Sequence, residues 1–421
     1  MRLSQFFFKT VKETPKDEAS LNARLLTKAG FIQKLSAGIY SYLPLGFKVL
    51  SKIENIIREE MNNIGARELL MPALHTKEIW EESGRWKTAD YLYKIKDRQK
   101  KEYALGATHE EVISGIAHKY ISSYRDLPLA LYQIQTKFRD ELRPKSGLLR
   151  TKEFSMKDLY SFHADEKDFK KYYEEVKKSY LKIFKRCGFD EVIVSEASGG
   201  VFSEEYSHEF QVPTPAGEDT VIFCPKGDYA RNKEIADIKK GGKCPKCGAI
   251  LKEAKTIEVG NIFTLGTRFS KPMAVNFIDK NDVKKPVLMG CYGIGPSRVL
   301  GAAVEVHHDE NGIIWPEEIA PFKAHLILLE GKGGVKIKNT ADRIYQDLQA
   351  KGVEVLYDER ETKTPGEKFA DADLIGIPYR IIVSEKTLQK DCIEIKRRNE
   401  KRISLIKIKD LRFDPPATLD A

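Results

Sequence analysis

The sequence predicts a chain of two parts, a mixed α and β region over residues 1–320 and a small α/β module with a mixed sheet over residues 321–421. In the first part, strand-like runs and amphipathic helices follow one another irregularly. From about Pro321 onward, short strands and helices alternate regularly, which is typical of an α/β module. A length of 421 residues is enough for more than one hydrophobic core.

Two amphipathic helices are the clearest elements of the first part. From Pro44, apolar residues recur at helical spacing until Gly65, and a strand over 68–71 follows. A second helix is predicted between the N-cap Asp165 and the C-terminal Gly188. The remaining predicted elements of this part are strands at Glu191–Val194, Thr256–Phe263, Ala274–Phe277 and Val287–Met289, and a helix from Pro296.

The second part has the pattern of a separate folding module of about 100 residues. Its predicted strands and helices follow in the order His325–Leu329, a helix at Thr340–Lys351, Val353–Tyr357, a helix at Pro365–Leu374, Tyr379–Val383, Cys392–Lys396 and Ile403–Ile406.

Composition excludes several classes of protein. With 41% hydrophobic and 32% charged residues, the chain is neither disordered nor fibrous. Its apolar runs are far shorter than the roughly 20 residues that a membrane span needs, and its first nine residues do not resemble a secretory signal. We therefore expect a cytoplasmic protein that does not enter a membrane.

Positive charge is concentrated near the C-terminus. The net charge is +9, and residues 380–412 contain eleven Lys or Arg against five Asp or Glu. This excess predicts either a solvated basic edge or a surface that faces a nucleic acid.

The cysteines do not indicate a disulfide framework in a cytosolic chain. Cys244 and Cys247 have the spacing of a zinc-binding pair, and Cys224 begins what resembles half of a second pair. Structural zinc takes four ligands, but Gly227 stands where the fourth cysteine would fall, and Asp228 is a poor substitute. A metal-free remnant is the favoured interpretation, and a structural zinc site at the three cysteines and redox chemistry are the alternatives.

A basic, turn-rich loop joins two predicted strands between Phe138 and Phe154. The two strands would bring Arg139 and Arg150 near one face, with Lys145 in the loop between them. Guanidinium groups bind phosphate oxygens in a bidentate manner and neutralise charge that shifts during phosphoryl chemistry. The alternative is a hairpin stabilised only by surface salt bridges.

Two further segments carry polar groups suited to a small substrate. Gly290–Arg298 passes from a strand through a glycine turn into a helix, and Arg298 stands where a dinucleotide fingerprint needs its third glycine. A nucleotide ring and its phosphates fit this segment better than a nicotinamide cofactor does. Thr108 and Glu110 offer a hydroxyl and a carboxylate to a substrate ammonium, or else Thr108 simply caps the helix that follows.

These segments resemble the three motifs of class II aminoacyl-tRNA synthetases. Arg139–Phe154 is similar to motif 2 and Gly293–Arg298 to motif 3, while the helix and strand ending at Pro72 are similar to motif 1. Over nearly the whole chain, the sequence resembles the bacterial prolyl-tRNA synthetases. The stretches that carry this resemblance are Arg2–Gln5, Gly38–Gly46, Trp80–Arg85, Tyr132–Arg139, Met156–Asp158, Ser207–Phe210 and Gly312–Pro316.

The resemblance implies a fold and a reaction. The fold would be an α+β catalytic domain, built on an antiparallel sheet flanked by helices, followed by an anticodon-binding domain. The chain would use ATP with Mg²⁺ to convert L-proline into prolyl-adenylate and transfer it to the 3′ end of tRNA(Pro), releasing AMP and pyrophosphate. Glu258 is a candidate Mg²⁺ ligand, and motif 1 implies a homodimer.

The resemblance also assigns the ATP-binding residues. Arg139 would bridge the proline carboxylate and the α-phosphate, and Arg150 would hold the terminal phosphate. Glu141 would face the adenine amino group, while Phe154 and Arg298 would enclose the adenine ring. The candidate catalytic residues are thus Arg139, Arg150 and Arg298.

The proline site implied by the resemblance lies beside these residues. Thr108 and Glu110 would bind the imino group, while Met156, His208 and Phe210 would line or support the pocket. In the C-terminal module, the candidate anticodon-binding residues are Asp358, Arg360, Lys368 and Arg380.

The chain departs from the family pattern between motifs 2 and 3. Bacterial members often carry a large editing domain there, whereas a short cysteine-containing segment at about 224–258 fills this place here. We therefore expect no hydrolysis of mischarged tRNA in cis, and a separate trans-editing protein. Ala107 and Asn261 replace a usual proline and a usual histidine, both beside the expected proline pocket.

Three other functions compete with this interpretation. A non-catalytic paralogue would not need the intact arginines, and an activator of a carrier protein would not need an anticodon-binding module. A nicotinamide enzyme built on Gly293 and Gly295 is disfavoured by Arg298.

Overall fold

The computed structural model describes residues 1–11, 13, 18–200, 207–329 and 334–412. The α-helices within these residues are α1 Leu21–Lys28, α2 Pro44–Asn63, α3 Lys77–Glu82, α4 Glu110–Tyr120, α5 Glu166–Arg186, α6 Pro296–Val306, α7 Gly334–Ala350, α8 Pro365–Ile375 and α9 Glu385–Leu388. The short 3₁₀ helices are Leu3–Gln5, Tyr124–Asp126, Gly147–Leu149 and Ile408–Asp410. None of the described helices is long and apolar enough to cross a membrane.

The strands of the first three quarters of the chain are β1 Ile32–Ser36, β2 Ile39–Tyr42, β3 Arg67–Glu68, β4 Leu74–Thr76, β5 Lys94–Lys96, β6 Glu102–Leu105, β7 Leu129–Phe138, β8 Glu153–His163, β9 Ile193–Ala197, β10 Ser207–Pro213, β11 Asp219–Phe223, β12 Ala230–Asn232, β13 Lys252–Gly266, β14 Asn276–Ile278, β15 Lys284–Pro286, β16 Leu288–Ile294, β17 His308–Asp309 and β18 Gly312–Ile313. The remaining strands are β19 Ala324–Leu329, β20 Val355–Asp358, β21 Tyr379–Ser384, β22 Cys392–Arg397 and β23 Ile403–Lys407.

Compactness divides the chain into two units that do not follow the sequence boundary predicted at residues 320–321. The first unit comprises Met1–Lys34, Ser41–Lys52 and Val306–Ala421, and the second comprises Leu35–Tyr40 and Ile53–Glu305. The N-terminal segment thus joins the C-terminal module in one unit. Sequence periodicity could not indicate this, because it reports local structure and not which distant segments pack together.

The second unit is built on a nine-stranded sheet in the order β10-β9-β12-β11-β13-β16-β8-β7-β3, in which β10 also pairs with β13. The central strands β13, β16, β8 and β7 are antiparallel neighbours, whereas the edge strand β3 runs parallel to β7. This confirms the expected antiparallel sheet flanked by helices. The predicted strand over 68–71 is shorter than expected, because only Arg67 and Glu68 pair with β7.

Helix α5 packs against the sheet through aromatic side chains. Its N-cap is Asp165, whose carboxylate accepts a hydrogen bond from the backbone of Asp168. Tyr180 and Phe184 of the helix contact Phe210 of β10, with ring centroids 5.1 and 5.4 Å apart. These buried rings fix one face of the sheet and leave its opposite face available for a site.

The first unit contains the predicted mixed sheet, in the order β20-β19-β21-β22-β23. Strands β20, β19 and β21 are parallel, whereas β21, β22 and β23 are antiparallel. Helix α8 begins with a capping box at Thr364 and Glu367 and ends at Gly376, whose φ of +81° suits glycine. The predicted order of strands and helices is confirmed, although α7 begins at Gly334 and not at Thr340, and the short helix α9 was not predicted.

Candidate active site

The central antiparallel strands of the second unit surround one cavity. The residues that line it come from β7, β8, β13 and β16, from the loop before α4 and from the start of α6. Eight of the ten residues predicted to bind ATP or proline line this cavity, namely Thr108, Glu110, Arg139, Glu141, Arg150, Phe154, Met156 and Arg298. The structure therefore brings together residues that are almost 200 positions apart in the sequence.

The register of β7 and β8 explains how the motif 2 residues reach the cavity. These strands pair from Leu129 with Phe162 to Phe138 with Glu153, and Arg139 continues the pairing by donating its backbone N–H to Lys152 O at 2.9 Å. Side chains alternate between the two faces of a strand, so alternate residues of β8 project toward the cavity. A loop with a 3₁₀ turn at Gly147–Leu149 connects the strands and positions Arg150.

Arg139 is a half-buried cation at the wall of the cavity. Its guanidinium carbon lies 5.2 Å from the ring centroid of Phe154, and its Nε donates a long hydrogen bond to Ala107 O at 3.4 Å. Among the described residues, no carboxylate forms a salt bridge with Arg139, and burial lowers the pKa of its guanidinium. A partly desolvated guanidinium without a counter-ion is a site prepared for an anion.

Arg298 lies at the first turn of α6, directly after β16. Its Nη1 contacts Glu258 twice, at 3.1 Å from Oε2 and 3.3 Å from the backbone oxygen. The Asn261 side chain donates hydrogen bonds to Glu258 at 3.1 Å and to Glu209 at 3.4 Å. Burial, followed by the nearby charge of Glu258, raises the pKa of Glu209 to about 8. The cavity thus has a cationic wall next to a crowded cluster of carboxylates.

Arg150 contacts a carboxylate at the edge of the cavity. Its Nη2 lies 3.5 Å from Glu218, which also contacts Lys145 at 3.4 Å and accepts a hydrogen bond from Ser146 at 2.6 Å. The side chain of Arg150 is 45% exposed, so this pair is a surface salt bridge that contributes at most about 1 kcal/mol. An incoming anion can therefore displace Glu218 from Arg150 at small cost.

A buried polar network forms the floor of the cavity around Glu110, which has no solvent exposure. Its carboxylate accepts hydrogen bonds from Thr108 at 2.5 Å, from Arg85 at 3.4 Å and from the Cys291 thiol at 3.4 Å. Arg85 also donates to Glu111 at 2.9 Å. Because its partners hold the carboxylate in place, Glu110 offers a preorganised negative charge to a ligand in the cavity.

A buried ion pair lies beside this network. Lys137 and Asp158 form a salt bridge of 2.8 Å, and their side chains are only 1% and 5% exposed. Asp158 also accepts hydrogen bonds from Gln133 and Tyr160, each at 3.0 Å. Burial opposes the charge of Asp158, but Lys137 outweighs this effect and holds the pKa of the carboxyl below its usual value.

The ammonium of Lys137 also determines the protonation state of His109. Lys137 Nζ donates to His109 Nδ1 at 2.6 Å, and His109 Nε2 lies 3.0 Å from Pro72 O. Nδ1 must therefore be an acceptor and Nε2 the N–H donor, so the ring is neutral. Burial, followed by the charge of Lys137, lowers the pKa of His109 to about 3, and burial lowers the pKa of His75 to about 4.

These two histidines predict a loss of stability in mild acid. Their folded pKa values lie below the ordinary value of 6.5, so the unfolded chain takes up the protons first. Stability is fully present above pH 6.5 and falls as the pH decreases, by about 2 kcal/mol for each histidine at pH 5. Urea denaturation at pH 7 and pH 5 measures the difference. His109→Gln should have a smaller pH dependence than the unaltered chain, and an identical dependence would contradict the assignment.

Two residues predicted for the proline pocket do not line this cavity. Phe210 has no exposure and packs against α5, while His208 Nδ1 is 2.8 Å from the hydroxyl of Tyr173, also on α5. The sequence places both on one strand but does not reveal which face of the sheet that strand presents to the cavity. Any influence of His208 and Phe210 on a ligand here must act through the sheet.

The four candidate anticodon residues form internal pairs within the first unit. Asp358 is fully buried and binds Arg360 at 2.8 Å, and Arg360 also binds Asp371 at 2.8 Å. Lys368 is 3% exposed and donates to Leu328 O at 2.8 Å. Arg380 lies 3.0 Å from Asp373, so these side chains shape the module from within, and Asp358 and Lys368 do not present an exposed surface.

Sequence reasoning assigned no role to several residues that organise the site. Arg85, Glu111, Lys137 and Asp158 are buried polar groups, and only their contacts reveal that they belong to one network. A charged residue inside a predicted strand, such as Lys137 in β7, was the available signal. Charged side chains are rarely buried unless they are paired, and the spacing along the chain did not identify the partner.

Comparisons with known proteins agree with this geometry. A family model described as the tRNA synthetase class II core domain (G, H, P, S and T) matches residues 93–307, and one described as an anticodon binding domain matches residues 320–412. The proline–tRNA ligase of Sulfurihydrogenibium sp. (strain YO3AOP1) is 36% identical over 556 aligned positions, which cover 97% of this chain and 98% of that protein. That of Aquifex aeolicus is 36% identical over 549 positions, covering 95% and 96%.

Solved structures show the same fold at lower sequence identity. Giardia lamblia prolyl-tRNA synthetase in complex with prolyl-adenylate superposes with a TM-score of 0.76 at 21% identity, covering 92% of this chain and 74% of that one. The enzyme from Cryptosporidium parvum, complexed with halofuginone and AMPPNP, superposes with a TM-score of 0.77 at 19% identity, covering 92% and 73%.

Proposed function

This chain belongs to the proline–tRNA ligase family of class II aminoacyl-tRNA synthetases, and we propose that proline and ATP react in the cavity between β7, β8, β13 and β16. The reaction of this family is the ATP-dependent attachment of proline to tRNA(Pro). The observation that carries the assignment of the cavity is the half-buried Arg139 at its wall, which has no carboxylate partner among the described residues and lines the cavity together with Phe154 and Arg298.

The first step needs positioning and charge neutralisation more than covalent help from the protein. The proline carboxylate attacks the α-phosphorus of ATP, and pyrophosphate leaves. Arg139 bridges the two reacting anions, which would otherwise repel each other, and stabilises the charge that develops on the α-phosphate oxygens. Arg150 holds the terminal phosphate once that phosphate has displaced Glu218. Phe154 and Arg298 enclose the adenine ring, and Glu141 accepts a hydrogen bond from the adenine amino group.

The second step uses the same cavity. The terminal ribose hydroxyl of the tRNA attacks the carbonyl of the mixed anhydride, and AMP leaves. Throughout, Glu110 and Thr108 hold the imino group of proline, which is positively charged and matches the buried carboxylate. Met156 and Phe263 provide apolar surface beside them for the pyrrolidine ring.

Mg²⁺ accompanies ATP in this proposal, and the residues present fit it. The Asn261 side chain donates hydrogen bonds to both Glu209 and Glu258, so two carboxylates lie close together and a cation beside them would relieve their repulsion. Glu258, at the cavity wall, is the residue that would hold the ion together with the phosphates, and the ion would neutralise phosphate charge.

The function is tested by proline-dependent ATP–pyrophosphate exchange, followed by charging of tRNA(Pro). Exchange and charging with proline support the proposal. Pyrophosphate exchange that depends on a different amino acid would contradict the assignment of the proline site. Proline-dependent exchange without charging of tRNA(Pro) would favour a carrier protein as the acceptor. The absence of exchange with every amino acid would favour the non-catalytic paralogue.

We further propose that this chain does not remove mischarged alanine in cis. The alignments with the relatives extend over 556 positions, whereas this chain has 421 residues, so many positions of those relatives have no counterpart here. Where such relatives would carry an editing insertion between motifs 2 and 3, the chain has a short cysteine-containing segment at about 224–258. A pocket for the pyrrolidine ring rejects a smaller apolar side chain by only about 10–200-fold.

The expected result is therefore that the enzyme forms alanyl-tRNA(Pro) slowly and leaves it intact. The measurement is the decay of purified alanyl-tRNA(Pro) with and without the enzyme, at the same pH and temperature. A relative with a full editing domain serves as the positive control. Prompt deacylation by this chain alone would contradict the proposal, whereas stable alanyl-tRNA(Pro) supports the need for a separate trans-editing protein.

The homodimer expected from motif 1 also stays a proposal. Leu70 and Leu74, which follow strand β3, are 74% and 48% exposed. Exposed apolar residues next to the edge strand of a sheet suit burial against a second copy of the chain.

A further inference from the structure

The cysteine-containing segment of the second unit forms a small lobe with its own core. The buried members of this core are Ile222, Cys224, Cys244 and Leu251, with Tyr229, Ala236, Ile238 and Ala249 packed partly buried around them. So few apolar side chains cannot offset the conformational entropy of a folded lobe, and lobes of this size usually depend on a metal or on disulfides.

The fold brings the thiol of Cys224 to those of Cys244 and Cys247, which lie 20 and 23 residues further along the chain. The sulfur atoms of Cys224, Cys244 and Cys247 all lie within 4.8 Å of one another, and those of Cys224 and Cys247 are 3.5 Å apart. A tetrahedral zinc with Zn–S bonds of about 2.3 Å requires its sulfur ligands to be roughly 3.8 Å apart. The thiols therefore stand at the separation that zinc needs.

Two similar turns present the cysteines. Cys224 donates its backbone N–H to Tyr229 O, and Cys244 donates to Ala249 O, five residues onward in each case and at 2.7 Å in both. The same backbone hydrogen bond therefore closes both turns.

The structure also explains the missing fourth cysteine. Gly227 has a φ of +83°, a left-handed conformation that a cysteine would adopt only with strain. The carboxylate of the next residue, Asp228, contacts the Cys247 thiol. The oxygen ligand that the sequence treats as a poor substitute thus lies beside one of the three sulfur atoms.

We propose that this lobe binds one structural Zn²⁺ through three thiolates and one carboxylate, from Cys224, Cys244, Cys247 and Asp228. The site is closed by four protein ligands, so it holds the lobe together and takes no part in the reaction at the cavity. This replaces the metal-free remnant that the sequence favoured.

The test is the zinc content of the full-length chain, purified from zinc-supplemented cells and measured by elemental mass spectrometry. We expect one zinc per chain in the unaltered protein and in Cys392→Ser, whose cysteine lies in the other unit, and loss of zinc in Cys244→Ser. Asp228→Asn should lower the affinity for zinc at least 10-fold, measured in competition with a chelator. Asp228→Cys should keep this affinity at the level of the unaltered protein or raise it. A metal-free protein, or a Cys224–Cys247 disulfide in freshly purified protein, would overturn the proposal.

A second measurement uses the unaltered chain and one variant that keeps four ligands. Cobalt substituted into the unaltered chain should show a thiolate-to-metal charge-transfer band, and Asp228→Cys should strengthen this band because it adds a sulfur ligand. If the band were the same in Asp228→Cys and in the unaltered protein, the fourth ligand would not be Asp228.

Discussion

Replacing Arg139 with alanine is expected to slow proline-dependent ATP–pyrophosphate exchange by about 100-fold or more. Among the described residues, this guanidinium has no carboxylate partner, so its charge is available to the two anions that must approach each other. Its removal leaves the carboxylate–phosphate repulsion uncompensated in a partly dry cavity. The measurement is kcat and KM for both substrates in the exchange assay.

Two variants of the same loop region make this result specific. Arg143→Ala removes an exposed arginine from the loop and should leave exchange unchanged. Arg139→Lys keeps the charge but loses the bidentate fork, so its rate should lie between those of the unaltered chain and Arg139→Ala. An unaltered exchange rate in Arg139→Ala would remove this residue from the mechanism.

Replacing Lys137 with methionine is expected to lower the free energy of unfolding by about 3–5 kcal/mol. The variant leaves the carboxylate of Asp158 buried with two hydrogen bonds but without its counter-ion. Taking one partner from a buried ion pair is costly, because the remaining charge cannot return to water. Urea denaturation followed by tryptophan fluorescence measures the change, since Trp80 and Trp86 are buried in the same unit.

The matched control is Lys145→Met, which makes the same chemical change at the surface. Lys145 is 56% exposed and pairs with Glu218 at 3.4 Å, so its loss should cost less than about 1 kcal/mol. In the double variant Lys137→Met with Asp158→Leu, no buried charge is left unpaired, and most of the lost stability should return. Equal effects of Lys137→Met and Lys145→Met would show that the buried pair has no special cost.

The elements of the fold could largely be predicted from the sequence, because each depends on local patterns. The helix that begins after Asp165 and ends before Gly188 follows from a cap, an apolar stripe and a glycine stop, and the structure has α5 there. Strand ends were less predictable: β16 continues to Ile294 although a glycine turn was expected from Gly290. Hydrogen bonding to β8 and β13 on both sides keeps this segment extended.

The candidate site was predicted in part. The positions of Arg139, Arg150 and Arg298 on the chain, together with their resemblance to the motifs of one family, were sufficient to place them in one cavity. His208 was assigned to that cavity, but its strand turns it toward α5. Periodicity identifies the two faces of a strand but not what covers each face.

The sequence by itself determined the family, the reaction and eight of the residues that line the cavity, because the motifs that resemble one family can be recognised without coordinates. Only the tertiary structure decided how the buried groups pair: Lys137 with Asp158, Arg85 with Glu110 and Glu111, and three distant thiols with one another. The physical reason is that desolvated charges and thiols are stable only with partners, and the partners come from segments that folding, not sequence order, brings into contact.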